Sequence, residues 1–456
     1  MTITAESPLL KAPIGATIIR LAAPNMIAMV VTMITFMAEA WYVGQLGSAS
    51  LAGLALAFPM MMLVLTLSGG SIGGTITGAV ARRLGAGDRT GAEILAFHAV
   101  LLVSLLAGAC TLIFLCGGRG IYGLLGGQGP VLEQALAYSD VLFLGCISMW
   151  LANALAAIVR ATGKMKVAAK CLVVGSGVQV MAAGVLVLGL GPFPRMGIAG
   201  AAAGIVIGYS VAAVMLLVYL TTRSTELRVR LLGMQVNLAP MAAILKVGAF
   251  ASINSLCSIA SVTVVTAYIA RLGVDVLAGY GIGSRLEFLL IPMVFGFGAA
   301  STALVGVHFG ASQFQQAQKA GWTAAFYSAA LCGLVGGLIA GFPSLWADLF
   351  TDSETIRTTC RIYLQIVGPF YTFFGFALCL YFASQGAGRI VWPVIASVVR
   401  VLVIAAGCAA LSHIASVGPQ HFFWLIAVGM VVQASISGTA IRFGAWTRGA
   451  KSASHR

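Results

Sequence analysis

The chain has 456 residues, 60% of them hydrophobic and only 8% charged, where a soluble globular domain carries roughly a quarter charged residues. That balance excludes a water-soluble protein, and at about 20 residues per bilayer crossing the length holds up to a dozen spans with short loops and no separate soluble domain. The 26 lysines and arginines against 12 acids leave a net charge of +14, which fits nucleic acid, an acidic ligand or the cytoplasmic face of a membrane until their placement is known.

The apolar runs are continuous over 18 or more residues, not ten-residue stretches of alternating polarity, so the fold class is an all-α polytopic membrane protein and not an outer-membrane barrel. Polar and Gly/Pro breaks predict twelve spans, at about 15–42, 50–80, 92–116, 133–158, 167–190, 197–220, 241–269, 277–305, 318–341, 361–384, 391–412 and 420–443. The 56 glycines suit helices whose backbones approach closely. Nine scattered cysteines without a C-x-x-C pair read as small buried hydrophobes, and no metal or cofactor is called for. No short apolar core with a cleavage site precedes the first span, which is expected to remain uncleaved.

Assigning each basic residue to the loop it borders puts 20 of the 26 on one side. They are Lys11 and Arg20, Arg82, Arg83 and Arg89, Arg160 to Lys170, Arg223 to Lys246, Lys319, Arg389 with Arg400, and Arg442 to Arg456. Arg119, Arg195, Arg271, Arg285, Arg357 and Arg361 fall on the other side, where Asp348, Asp352 and Glu354 cluster in one loop. This asymmetry predicts both termini in the cytoplasm and an inner-membrane location. A thin belt spread over seven segments is not the patch that nucleic acid requires.

The sequence repeats at an offset of 225–226 residues. Trp41–Gly53 pairs with Ala267–Gly279, Leu84–Asp88 with Phe309–Gln313, Tyr138 with Tyr363, and Arg160–Lys164 with Gln385–Arg389. Six spans per half make these parallel repeats about an axis along the membrane normal, expected as lobes 1–230 and 231–456 that rock to give alternating access.

Pro24, the acid at Glu39, Trp41–Gly47, Leu51–Gly53, Arg82–Asp88, Gly197–Ala202 and Val305–Ala311 together resemble the multidrug and toxic compound extrusion (MATE) family over essentially the whole chain. The resemblance implies two six-helix lobes and export of organic, often cationic or aromatic, compounds against a proton or sodium gradient. Three departures stand out. Glu39 occupies the position where the family usually has Asp, and Gln179 and Ala183 stand where one bacterial branch has Asn and Asp; the seventh-span Glu of a second branch is missing, since 241–268 holds no acid.

Of the acids, Glu39 and Glu287 lie inside spans, where a charge costs roughly 2.5–3.5 kcal/mol on insertion scales and marks function. Glu39 stands 19 residues beyond Arg20, about 28 Å along the helix, near the outer end, so a solvated carboxylate is the alternative. As coupling group it would take a proton or yield to a cationic substrate, with each ligand shifting the state it binds better. Thr32, Thr35 and Tyr42 share its face and either orient it or pack the helix. Pro24 weakens one backbone bond and permits a hinge, or a static kink. Arg285 and Glu287, at i and i+2, cannot pair with each other; Arg285, a candidate for substrate binding, answers an acid or carbonyl on another helix or faces a wet cavity, and Glu287 either binds substrate or proton or joins a structural ion pair.

Adaptable and aromatic surface for substrate comes from Tyr42, Phe58, Met61 and Trp150, and polar groups from Asn153, Gln179, Asn254 and Gln433, with helix packing as the alternative for each. The expected partners are thus small organic substrates, H+ or Na+, and the bilayer, with the chain acting as a monomer. The other readings are a flippase for lipid-linked precursors, which would want a strongly basic cavity, and an intramembrane enzyme. Gly69–Gly73 formally matches G-x-S-x-G but lies in a helical run without a partnered His and acid. Phosphate-cradling loops are absent, so no ATP site is expected.

Overall fold

The structure is a computed structural model that describes residues 8–222, 227, 236–413 and 418–446. The described residues form helices and connecting turns only. The long apolar helices are α1 (Ile14–Gly44), α2 (Ser48–Gly85), α3 (Arg89–Leu124), α4 (the pair Gly129–Leu144 and Cys146–Ala161, bent by 49°), α5 (Met165–Leu188), α6 (Ile198–Thr221), α7 (Leu238–Leu272), α8 (Val274–Gly310), α9 (Phe314–Gly341), α10 (Glu354–Ala387), α11 (Val391–Ser412) and α12 (Pro419–Arg442). Each expected span has its helix, and the chain is an all-α polytopic membrane protein.

The interruptions have local causes. Pro369 lacks an N–H and sits in a 3₁₀ turn, Gly368–Phe370, inside α10. Pro24 and Pro59 are carried within continuous helix. A π-helical stretch, Thr66–Ile72, interrupts α2, and it contains most of the Gly69–Gly73 motif, which is helical as expected. α8 breaks at Arg285, between Val274–Ser284 and Leu286–Gly310. A short helix, Ser344–Ala347, lies in the α9–α10 connection.

By internal contact the chain divides into two units, Met1–Ala22 with Ala249–Arg456, and Ala23–Gly248. The division cuts α1 two residues before Pro24 and cuts α7 at 248/249. The expected boundary at 230/231 lies outside the described residues, as do Arg223, Arg228, Arg230, Arg448, Lys451 and Arg456.

The repeat is written into the packing of each unit. In the second unit a Cβ on Gly53 would stand 2.6 Å from Gln134 Cβ, and in the first unit a Cβ on Gly279 would stand 2.6 Å from Thr359 Cβ. The shared Leu-Ala-Gly thus marks the close crossing of α2 on α4 and of α8 on α10. Thr77 donates to the Ala157 carbonyl at 3.0 Å, and Thr302 to the Phe382 carbonyl at 2.8 Å. Asp88 receives Arg83 at 2.7 Å, and Gln313 receives His308 at 2.8 Å. Between α5 and α6 the seam is a small-residue stripe: a Cβ on Gly200, Gly204 or Gly208 would lie 2.6, 2.7 or 2.6 Å from the backbone or Cβ of Leu186, Ala183 and Gln179.

One charge assignment changes. Arg400 is not a loop-bordering residue: it lies mid-α11, 7% exposed, turned inward to Gln433. Counting by the nearest loop cannot see a side chain recruited into the interior. Arg357 and Arg361, expected on the side of the acidic loop, pair with its Asp348, Asp352 and Glu354 at 2.9–3.4 Å.

Candidate functional site

In the second unit Glu39 is buried, 3% exposed, which overturns the solvated-carboxylate alternative. One turn from the end of α1, its Oε1 accepts a 2.7 Å hydrogen bond from the Tyr138 hydroxyl of α4. The same hydroxyl lies 3.2 Å from Met61 Sδ of α2. Tyr209 of α6 interacts electrostatically with the carboxyl, and Tyr122 of α3 with Tyr138. Glu39 Oε2 and the Tyr122 hydroxyl are buried without a hydrogen-bond partner. Five helices therefore bring one acid and three phenols together.

Thr35 does not orient Glu39. Its hydroxyl bonds the Val31 carbonyl of its own helix at 2.9 Å, and Thr32 likewise bonds Ala28 at 3.0 Å. Intrahelical back-bonding satisfies both hydroxyls, a common fate of Thr in a span. The Tyr42 ring rests on Gly184 of α5, where a Cβ would come 2.8 Å from Cζ. Gln179 and Ala183 face Gly208 and Gly204 across the α5–α6 seam, and Gln179 Nε2 is buried without a hydrogen-bond partner. Asn153 donates to Ser68 of the π-helical stretch at 2.9 Å, so it serves interhelical bonding between α4 and α2. Trp150 is buried, its Nε1 unpartnered, and Phe58 is half-exposed, edge-on to Phe36. Of the coupling and substrate candidates read from sequence, Glu39 and Met61 converge here, on the repeat anchor Tyr138.

The first unit holds a counterpart. Glu287 Oε1 accepts from the Tyr363 hydroxyl of α10 at 3.1 Å, and that hydroxyl lies 3.4 Å from the Tyr371 hydroxyl. Tyr363 is the repeat partner of Tyr138. At the 226-residue offset of Trp41–Gly53 and Ala267–Gly279, Met61 corresponds to Glu287 and Glu39 to Val265. Each unit therefore places an acid on the same tyrosine, one from its first helix and the other from its second.

What differs is the compensation. Arg400 interacts electrostatically with Glu287; its Nη1 donates to Gln433 at 3.1 Å, and Gln433 Nε2 donates to Ser397 at 3.0 Å. Ser397 in turn donates to Asn254. Asn254 and Gln433, singled out from sequence, thus belong to one buried polar network. Arg285 lies exposed at the break in α8 and does not join it. Tyr280, Tyr363 and Phe423 pack their rings at 5.1–6.2 Å. Tyr138 and Tyr363 were visible in sequence as repeat anchors, but nothing marked their hydroxyls, and Arg400 was hidden among topological charges.

Residues 24–185 and 251–411 match the MatE family. The chain belongs to the MATE family. MATE proteins are transporters and not enzymes, and this chain is a multi-pass membrane transporter. A protein of Shewanella oneidensis named "FAD transporter" is 23% identical over 407 residues, covering 88% of this chain and 89% of its own. A probable multidrug resistance protein of Bacillus subtilis is 25% identical over 77% of each chain. Among solved structures, a MOP superfamily transporter from Pyrococcus furiosus aligns with a TM-score of 0.89 at 25% identity, over 98% of this chain and 99% of that one. An outward-facing MATE transporter aligns with a TM-score of 0.88 at 24% identity over 98% and 100%, a likeness of fold.

Proposed function

We propose that this MATE transporter is a secondary active antiporter that exports lipophilic, cationic or aromatic organic compounds in exchange for protons, with Glu39 as the coupling group. The observation that carries this reading is the buried carboxyl of Glu39, held by one phenol and left with an unpartnered Oε2 and, among the described residues, no cation paired to it. A buried carboxylate is costly without compensation. A proton and a cationic substrate each supply it, so the two compete for one group, and each stabilises the conformation it binds better. Proton is favoured over sodium because a hard cation wants several oxygen ligands, whereas among the described residues the side-chain hydrogen bond to Glu39 comes from the Tyr138 phenol, whose hydroxyl in turn lies on the Met61 thioether. Gln179 and Ala183 are taken up by the α5–α6 seam.

The orientation that fits the basic belt is an inner-membrane one with both termini cytoplasmic, and a single chain carries both repeats, so the unit of function is a monomer. A second reading of the cargo is favoured by the relative named "FAD transporter": an aromatic dinucleotide joins the lipophilic cations as a compound to assay. The test is efflux from everted or reconstituted vesicles under an imposed pH or sodium gradient, comparing wild type with Glu39→Gln. Undiminished gradient-driven efflux in the variant sinks Glu39 as the coupling group, and efflux that collapses only on sodium removal sinks the proton assignment.

A further inference from the structure

The cavity of about 650 Å³ in the first unit lies away from both acids, between the start of α11 and the end of α12. Arg389, Val391, Trp392, Ile436, Thr439 and Phe443 line it. Its frame is built rather than loose. Gly388 ends α10 in the left-handed conformation, φ +70°, a cap that glycine favours, and the Arg389 amide then donates to the Ser384 carbonyl at 2.9 Å. Trp446, buried beneath, donates Nε1 to Ser384 Oγ at 3.2 Å and packs so closely on Gly321 that a Cβ there would stand 2.7 Å from Cη2. Against this frame the lining is amphipathic: Val391, Trp392 and Phe443 are 52%, 45% and 70% exposed, and Arg389 is exposed beside them.

The charge of this end is one-sided. No acid occurs anywhere in 355–456, and among the described residues no salt bridge engages Arg389. A guanidinium fork matches a phosphodiester through two parallel hydrogen bonds. An indole beside it suits the headgroup level of a bilayer, and cytoplasmic leaflets supply anionic lipid to basic pockets between helices.

We infer that this cavity is a binding site for an anionic phospholipid, with Arg389 on the phosphate, Thr439 beside it, and Trp392 and Phe443 against the glycerol and upper acyl chain. A zwitterionic lipid would present no net charge to Arg389, and free phosphate would leave the aromatic wall unused. The leaflet rests on the orientation proposed above; the site itself does not depend on the transport reading.

Native mass spectrometry of the full-length protein, stripped in detergent and titrated with phosphatidylglycerol or phosphatidylcholine, tests the site. We expect at least a tenfold preference for phosphatidylglycerol, no displacement by millimolar inorganic phosphate, loss of the preference in Arg389→Gln, and its retention in Arg119→Gln, an exposed arginine outside the cavity's lining. Equal retention of the two lipids by wild type, or an unchanged preference in Arg389→Gln, overturns the proposal, and displacement by inorganic phosphate reduces the site to a bare anion site and overturns the lipid assignment. Should Arg389→Gln not fold, Trp392→Ala decides: a preference left intact with unchanged affinity removes the aromatic wall from the site and overturns it. Efflux plays no part in the readout, so failure here leaves the antiport reading untouched.

Discussion

The Tyr138 hydroxyl lies 2.7 Å from Glu39 Oε1, and among the described residues it makes the one side-chain hydrogen bond to this buried acid of the second unit. Hydrogen bonds to a charged group contribute about 1.5–3 kcal/mol, and removing one partner leaves the other buried and unsatisfied. Tyr138→Phe keeps the ring and its packing and deletes only that donor. The expected outcome is a folded transporter whose gradient-driven efflux falls about tenfold or more. Passive substrate binding, measured by fluorescence quenching, should change much less. Tyr363→Phe removes the equivalent donor to Glu287, but Arg400 still acts on that acid, so efflux should fall less than in Tyr138→Phe. Equal losses in the two variants would mean that the two acids are functionally alike.

The compensation itself is testable. Breaking a buried charge network by removing one partner costs about 3–5 kcal/mol, whereas replacing the whole set by apolar side chains is often neutral. Arg400→Leu strands Glu287 and unpairs Gln433, and should lower the thermal unfolding temperature sharply in a detergent-stability assay. Adding Glu287→Leu to it should recover part of the loss. A double variant as unstable as the sum of the two singles would show that Arg400 and Glu287 do not compensate each other.

The close crossings carry a symmetric prediction. A Cβ on Gly53 or Gly279 would stand 2.6 Å from a side-chain Cβ on the crossing helix, so either Gly→Ala change forces the helices apart, at about 1–3 kcal/mol for overpacking. Both should lower the unfolding temperature by similar amounts. Gly281, two residues on, has open space at its Cβ position; there Gly→Ala should be neutral or stabilising, because alanine favours helix by up to about 1 kcal/mol. A destabilised Gly281→Ala would show that the effect belongs to the helix and not to the crossing.

Span count, helix class and repeat were legible because each rests on a periodic or repeated signal: apolar run length, basic residues at one side, and anchors such as Leu51–Gly53 and Tyr138. The acids were legible because charge is so scarce in the spans. The partners of those acids were not. Glu39 points at a tyrosine 99 residues away, and no spacing rule reaches across helices; face-sharing suggested Thr32 and Thr35, which instead satisfy themselves on their own backbone. Arg400 was misplaced for a related reason: a basic residue within ten positions of a loop counts as topological unless its inward partners are known. The bend in α4, at Gly145, and the π-helical stretch in α2, Thr66–Ile72, escaped because no proline marks either.

Pro24 gives the last prediction. It lies within continuous α1, two residues past the point where the chain's contacts pass from one unit to the other. Proline leaves the Arg20 carbonyl without its i+4 donor, so the helix is weakest there. Pro24→Ala supplies that donor and removes the ring clash, and alanine is favoured over proline in a helix interior by about 3 kcal/mol. If bending of α1 at this point is part of the transport cycle, stiffening it should slow turnover several-fold while raising thermal stability and leaving substrate affinity near wild type. Glycine at the same position restores the N–H yet keeps the backbone flexible, so Pro24→Gly should transport faster than Pro24→Ala. Unchanged turnover in both variants, with α1 stabilised in Pro24→Ala, would reduce Pro24 to a static packing residue.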